Sequence, residues 1–360
     1  MTIVAHAHPF VIGVDTHART HTLAVLVAGT GELIGTEQFP ATEAGMNRAV
    51  TWAARRTAGD PATLWVIEGI GTYGAHLAAA AHRAGYEVIE ATRMDARAHR
   101  GTGKSDPLDA RRIAAAVLPL EPEQLRRPRR DDGIRAALRT LVTAREHMTS
   151  ERTATVNALT ALLRAAALGI DVRKPLTAKQ ITQVAQWRAR AEDLATRTAR
   201  AEAVRLAKRV VELNQQLSAN QTQMTTLLRD SRAADLLGKT GIGPITAAVV
   251  YAAWSHAGRL RSEAAFAALA GVNPIPASSG NTTRHRLNRG GDRRLNRALH
   301  MAVITRMTHD PDTRAYAERR RAQGRTTKEI RRCLKRYLAR QLYRTLERLH
   351  TEPDACPQAA

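Results

Sequence analysis

Apolar positions fall in short, regularly punctuated runs over the first third of the chain. VIGVD (Val11–Asp15), TLAVLV (Thr22–Val27) and LIGTEQF (Leu33–Phe39) are β-rich and separated by brief polar turns such as GTGE. They predict three successive strands. A helix is expected over Glu43–Arg56, with Thr42 as its N-cap. LWVIE (Leu64–Glu68) predicts a fourth strand, HLAAAAHRA a small-residue helix, and YEVIEA (Tyr86–Ala91) a fifth strand. A further helix opens at SDPLDARRIAAAV. The order is therefore three strands, helix, strand, helix, strand, helix.

Beyond a linker rich in proline, arginine and acids (Leu118–Gly133) the pattern changes to helix as far as Leu228, broken at LGIDVRKPL by Gly169 and Pro175. Ala203, Leu206, Val210, Leu213, Leu217, Asn220, Met224 and Leu227 alternate three and four apart, as in a coiled-coil seam where Asn220 would fix register. An ordinary amphipathic helix packed in its own domain reads the same way. From Ser231 onwards the chain predicts short helices, a Gly/Pro/Ser-rich loop and a basic helical tail. The expected domains are 1–125, 126–230 and 231–350, with a short tail over 351–360.

A meander of three strands followed by αβαβα predicts an α/β RNase H-like (RuvC-like) domain, ahead of a helical coiled-coil region and a mostly α C-terminal domain. It departs from the strict βαβ alternation of a dinucleotide fold. Four acids fall where that topology places one sheet edge. Asp15 ends the first strand, Glu68 ends the fourth, and Asp106 and Asp109 share a helix face at spacing i, i+3. Hard oxygen ligands in such a cluster suit Mg²⁺, with Mn²⁺ also accommodated. A two-metal site of this kind stabilises the attacking and leaving oxygens of a phosphoryl displacement. Each acid also has a plainer reading: Asp106-Pro107 with Asp109 as a helix cap, and Asp15 and Glu68 as loop-entry acids.

Net charge narrows the partner. Fifty-five Lys and Arg against 33 acids give +22 and a pI near 11.2, an excess that calls for a polyanion. Between Arg284 and Arg348 there are 20 basic residues against 6 acids, so the bias is strongest in the C-terminal region. Only Cys333 and Cys356 are present, too few for a disulfide framework or a zinc cage, and a reducing cytoplasm is the expected compartment. His6 and His8 near the terminus read as a frayed tail. No signal peptide or membrane-spanning run is expected.

Two C-terminal stretches carry further chemistry. LLGKTGIGPITAAVV (Leu236–Val250) contains Gly241 and Gly243 in a turn that resembles a helix-hairpin-helix contact to the DNA backbone. An ordinary Gly-Pro turn is the alternative. Ser278-Ser279-Gly280 lies in a loop before Arg284, Arg286, Arg289, Arg293 and Arg294, which are suited to holding a phosphate. A solvated loop beside phosphate-contacting arginines fits that segment equally well.

Taken together, these pieces resemble the DEDD-type insertion-sequence transposases, the bridge-RNA-guided recombinases that include Piv-like DNA invertases. The resemblance runs through VIGVD, WVIEG, GKSDPLDAR, GIGPITAA, AFAALAGVNPIPASSG and RGGDRRLNRAL, in that order along nearly the whole chain. It implies that Asp15, Glu68, Asp106 and Asp109 bind Mg²⁺, and that Ser279 is the nucleophile forming a phosphoserine link to DNA, with Ser278 beside it. It further implies donor and target DNA and a guide (bridge) RNA as partners, and a homo-oligomer from dimer to tetramer. A cytoplasmic, nucleoid-associated protein is expected, with no membrane partner. The family pattern has a second arginine where this chain has Asn296 and an aromatic where Leu260 stands. Two other functions fit parts of the chain: a RuvC-like nuclease or Holliday-junction resolvase that hydrolyses DNA, and a non-catalytic nucleic-acid-binding protein.

Overall fold

The computed structural model describes residues 2–91, 103, 105–129, 133–278 and 285–351. The chain forms two compact units, Met1–Arg130 with Gly258–Arg261, and Asp131–Ala257 with Ser262–Ala360.

In the first unit a short helix α1 (Val4–Ala7) precedes β1 (Phe10–Thr16), β2 (Thr20–Val27) and β3 (Leu33–Pro40). These three strands pair antiparallel as the expected meander. Helix α2 (Glu43–Arg56) has the expected bounds, and the Thr42 hydroxyl accepts from the Gly45 amide at 3.1 Å. The chain then returns to the free edge of β1 with β4 (Leu64–Ile67), α3 (Ala75–Arg83), β5 (Glu87–Glu90) and α4 (Asp106–Ala115). Strand order is β3-β2-β1-β4-β5, with β1, β4 and β5 parallel. This mixed sheet agrees with the RNase H-like arrangement.

Strand alternation divides the core between the two faces of the sheet. Ile12, Val14, Trp65 and Ile67 pack with Met46, Ala49 and Ala53 of α2 and Leu77 and Ala81 of α3. Val11, Leu64 and Val66 pack on the opposite face with Ile113 and Ala114 of α4. Gly13 belongs to that second face. A Cβ at Gly13 would stand 2.1 Å from the Ala110 carbonyl oxygen and 2.5 Å from the Ala114 amide nitrogen, so α4 lies directly on the β1 backbone.

The second unit contains α5 (Gly133–Ala165), α6 (Ala178–Ala185), α7 (Leu194–Arg229), α8 (Pro244–Trp254) and α9 (Glu263–Leu269). A two-stranded hairpin follows, β6 (Pro274–Pro276) with β7 (His285–Leu287), then α10 (Arg293–His309), α11 (Pro311–Ala322) and α12 (Thr327–Thr351). Helices α5 and α7 both pack on α8, so the long helices and the C-terminal region, read above as 126–230 and 231–350, make one body. Among the described residues no helix is long and apolar enough to cross a membrane.

The heptad seam of α7 is filled within the chain. Ala203, Val210, Leu213, Asn220 and Met224 are buried, and α5 runs antiparallel along α7. Paired positions run in opposite senses, Glu151 with Arg209, Arg152 with Asn214 and Arg145 with Asn220. Asn220 bridges the two helices: its Nδ2 donates to the Leu141 carbonyl at 3.1 Å, while Arg145 donates to its Oδ1 at 3.4 Å and to the Leu217 carbonyl at 2.8 Å. Asn220→Ala removes both of its side-chain bonds to α5 and leaves Arg145 only the Leu217 carbonyl. The expected cost is about 1–3 kcal/mol, read as a lower melting temperature. An unchanged melting temperature would mean that the apolar seam sets the register alone.

Candidate metal centre and basic C-terminal surfaces

The alternation that sorts the core also sorts the acids. Asp15 continues the Val11, Gly13 series of β1, and Glu68 continues the Leu64, Val66 series just past β4; both series meet α4. The Glu68 amide donates to the Val14 carbonyl at 3.0 Å, extending the β1–β4 pairing to bring Glu68 beside Asp15. Helix α4 begins one turn before its contact with Gly13, which carries Asp106 and Asp109 to the same end of β1. Ser105, rather than Asp106, is the N-cap of α4, and its hydroxyl makes no capping hydrogen bond. The capping reading therefore does not account for Asp106.

One residue not singled out from the sequence, His17, joins this cluster. His17 Nε2 lies 3.3 Å from Asp15 Oδ2 and 3.5 Å from Asp106 Oδ1. Donor atoms of Asp15, His17 and Asp106 all lie within 4.8 Å of one another. The signal was present: His17 stands two residues after Asp15, the spacing that returns a strand-end side chain to the same face.

The electrostatics explain why a cation would fit here. Asp15 is 6% exposed. Burial pushes its carboxyl above the usual carboxylate range; His17 opposes this, and the charges of Asp106 and Asp109 add to it. Glu68 is also raised, first by desolvation and then by the charges of Asp15 and Asp109, with a hydrogen bond shared with Asp15. Asp109 has a cationic partner, Arg112 Nη1 at 3.0 Å. Several carboxylates thus converge with too little positive charge to balance them, which suits a divalent cation with mainly oxygen ligands.

Gly13 is what lets α4 deliver its two aspartates. Even Gly13→Ala sets a methyl group against helix backbone, which cannot swing aside as a side chain can. The expected outcome is a loss of stability of about 3 kcal/mol, with Mn²⁺ affinity lost although all four acids and His17 remain. Calorimetric titration of Mn²⁺ beside a thermal melt checks this; unchanged metal affinity would show that α4 reaches the acids by another route.

In the second unit the structure separates packing roles from exposed ones. Gly241 adopts φ +78°, and its missing side chain leaves room for the Ala302 carbonyl of α10, 2.7 Å from where a Cβ would stand. Its glycine is required by that turn and contact. Gly243 is the exposed N-cap of α8, with open space where its Cβ would be. Arg294 is engaged by α5, with Nε 2.6 Å from Glu146 Oε2 and Nη1 donating to Thr143 Oγ1 at 3.0 Å. Arg286, Arg289 and Arg293 are exposed. Asn296, where the family pattern has arginine, donates to the Ala270 carbonyl at 2.7 Å and accepts from Lys335 Nζ at 3.0 Å. Ser278 is exposed beyond β6 on the connection of the β6–β7 hairpin; Ser279, Gly280 and Arg284 lie outside the described residues.

Comparison with known proteins gives two family matches. Residues 12–167, which span all four acids, match the transposase model of the DEDD, IS110 type. Residues 234–318, which span the Gly241 turn and the serine loop, match the model described as transposase, IS116/IS110/IS902 family. Among curated proteins, the chain is 32% identical over 123 residues to the 43.6 kDa protein of insertion element IS110 from Streptomyces coelicolor. That alignment covers 34% of this chain and 30% of the relative, under a third of its length. Similarity to the 42 kDa protein of insertion element IS900 from Mycobacterium paratuberculosis is 29% over 318 residues, covering 76% of this chain and 77% of that protein.

Proposed function

Since the chain belongs to the IS110-type family of insertion-element transposases, we propose that it cuts and rejoins DNA by metal-assisted phosphoryl transfer. The observation that carries this reading is the convergence of Asp15, Asp106 and His17 within 4.8 Å at one end of β1, with Asp109 acting on Asp15 and both of these acids acting on Glu68. Asp15, Glu68, Asp106 and Asp109 would hold Mg²⁺ or Mn²⁺. When bound, such an ion supplies Lewis-acid stabilisation of charge on the phosphoryl oxygens.

Ser279 is the nucleophile in this reading. Its Oγ forms a bond to phosphorus as one ester bond of the DNA strand breaks. The proton leaving Oγ ends on the released deoxyribose hydroxyl. Attack by another strand's hydroxyl reverses these steps, restores the serine and leaves a joined strand. Bond energy is conserved in the phosphoserine ester, so no outside energy source is required.

The partners proposed are donor DNA, target DNA and a structured guide (bridge) RNA transcribed from the element's non-coding end, acted on at the nucleoid by a dimer or a tetramer. The charge of +22 supports polyanionic partners of this kind. The test is direct. The chain is incubated with Mg²⁺, supercoiled donor and target plasmids, and RNA transcribed from its flanking DNA. RNA-dependent recombinant junctions are expected. Nicked products with no joined strands would overturn the reading in favour of a hydrolytic RuvC-like nuclease, and intact DNA would favour a non-catalytic binder.

A further inference from the structure

Within the second unit, the β6–β7 hairpin and the helices α11 and α12 enclose a cleft that the proposed chemistry does not use. Its volume is about 730 Å³. Arg286, Arg320, Arg325, Arg332, Lys335 and Arg336 line it, and Glu329 is the lone carboxylate among its lining residues. Arg325 lies 3.7 Å from Glu329, a long ion pair, and Arg286 and Arg332 make no ion pair among the described residues. Six cations sharing one carboxylate repel one another, so the cleft favours an anionic occupant.

The floor of the cleft is built rather than incidental. Lys335 is 9% exposed, and its Nζ donates to Asn296 Oδ1 at 3.0 Å. Asn296 is in turn anchored to the Ala270 and Gly271 carbonyls. Burial lowers the Lys335 ammonium below its usual range, which an anion in the cleft would oppose.

A second observation specifies the anion. Tyr337 lines the same cleft and is 52% exposed, although its ring meets Tyr316 edge-on at 5.8 Å. Leu287 of the hairpin, also lining the cleft, is 48% exposed. An exposed aromatic beside a row of arginines is how proteins hold unpaired nucleotides, phosphates on the cations and a base on the ring. The volume falls within the roughly 300–1,000 Å³ of small-ligand pockets, room for a nucleotide or two of strand but not for a duplex.

We propose that this cleft binds a single-stranded segment of nucleic acid, with Arg286 and Arg332 on phosphates and Tyr337 stacked on a base. The choice of a nucleic-acid occupant rests on the transposase reading. The chemistry shown is common to an unpaired DNA strand and an unpaired RNA strand.

The test is fluorescence anisotropy of the full chain with labelled strands of about 10 nucleotides, a length typical of single-strand sites, as DNA, as RNA and as duplex. Tyr337→Ala should weaken single-strand binding about tenfold and leave duplex binding unchanged, while Tyr337→Phe keeps wild-type affinity. The double variant Arg286→Gln, Arg332→Gln should lower the log–log salt slope on single strands by about 1.4, or about 0.7 for each phosphate contact. A loss confined to RNA or to DNA upholds the cleft and identifies its strand. Equal losses on single strands and duplex, or none, would overturn it. Melting temperatures of the three variants exclude simple unfolding. The junction assay on wild type separates the two ideas: junctions without a Tyr337 effect overturn the cleft alone, whereas a Tyr337 effect without junctions upholds the cleft and removes the transposase reading.

Discussion

Asp15→Asn is expected to abolish DNA cleavage and, in the same preparation, to raise the melting temperature of the metal-free protein. The first effect follows from position. Asp15 is the most buried of the clustered acids and lies within ligand distance of both His17 and Asp106. Loss of a metal-binding carboxylate removes several kcal/mol of transition-state stabilisation, or about a thousandfold or more in rate. The second effect follows from charge. Burial and the acids around them raise the carboxyls of Asp15 and Glu68 above their ordinary values. A carboxyl raised in the folded state contributes stability that is present below its unfolded value and is lost as pH rises through the folded one. At neutral pH the ionised cluster is therefore a net cost, and asparagine removes one of its charges. Thermal melts in chelator at about pH 5 and about pH 7.5 check this: the gain from the substitution should be larger at the higher pH, where the carboxyls are ionised. A variant that melts lower at both values would make Asp15 a structural residue.

Ser279→Ala is expected to retain DNA and RNA binding while yielding neither a protein–DNA adduct nor a recombinant. A hydroxyl is the one group in the Ser278-Ser279 pair able to form the ester, and alanine removes it without adding bulk. Denaturing electrophoresis of labelled substrate with wild type, Ser278→Ala and Ser279→Ala reads the outcome. Wild type and the Ser278 variant should each show a band retarded by the mass of the chain. An adduct lost only in the Ser278 variant would move the nucleophile by one residue. Metal-dependent cleavage with no adduct in any of the three would assign the attack to water.

Much of the first unit was legible because its signals are local. The three-strand meander, the cap at Thr42, the bounds of α2 and the strand ending at Ile67, one residue before the expected Glu68, all depend on residues within a few positions of one another. The expected placing of the four acids rested on strand ends and i, i+3 spacing, which position side chains without reference to distant partners. His17 was passed over although its spacing from Asp15 was visible, since a histidine in a turn carries no distinctive signal until its neighbours are known. The heptad pattern of α7 fitted a coiled-coil seam and an ordinary amphipathic helix alike, because periodicity does not say what covers the apolar face. The answer, α5, lies some seventy residues away, as the Arg145–Leu217 hydrogen bond shows. Likewise Arg294 reads as a phosphate ligand until Glu146 and Thr143 are brought to it. The need for glycine at position 13 is set entirely by the helix laid over it.

The antiparallel pairing of α5 with α7 has a consequence for how this family can change. The chain enters the pair at Gly133 and leaves it at Arg229, and both helices pack on α8. A cluster that includes Leu159, Leu163, Ile181, Val184 and Val210 gives the segment around α6 a core of its own. Thirty-six residues of α7 at about 1.5 Å each make an arm about 54 Å long, longer than one turn of B-form DNA at about 34–36 Å. Adding or removing matched heptads in α5 and α7 would change the length of the pair by about 10 Å a step while preserving the seam. The length of this helix pair is thus a quantity that evolution or an engineer can set in whole heptads.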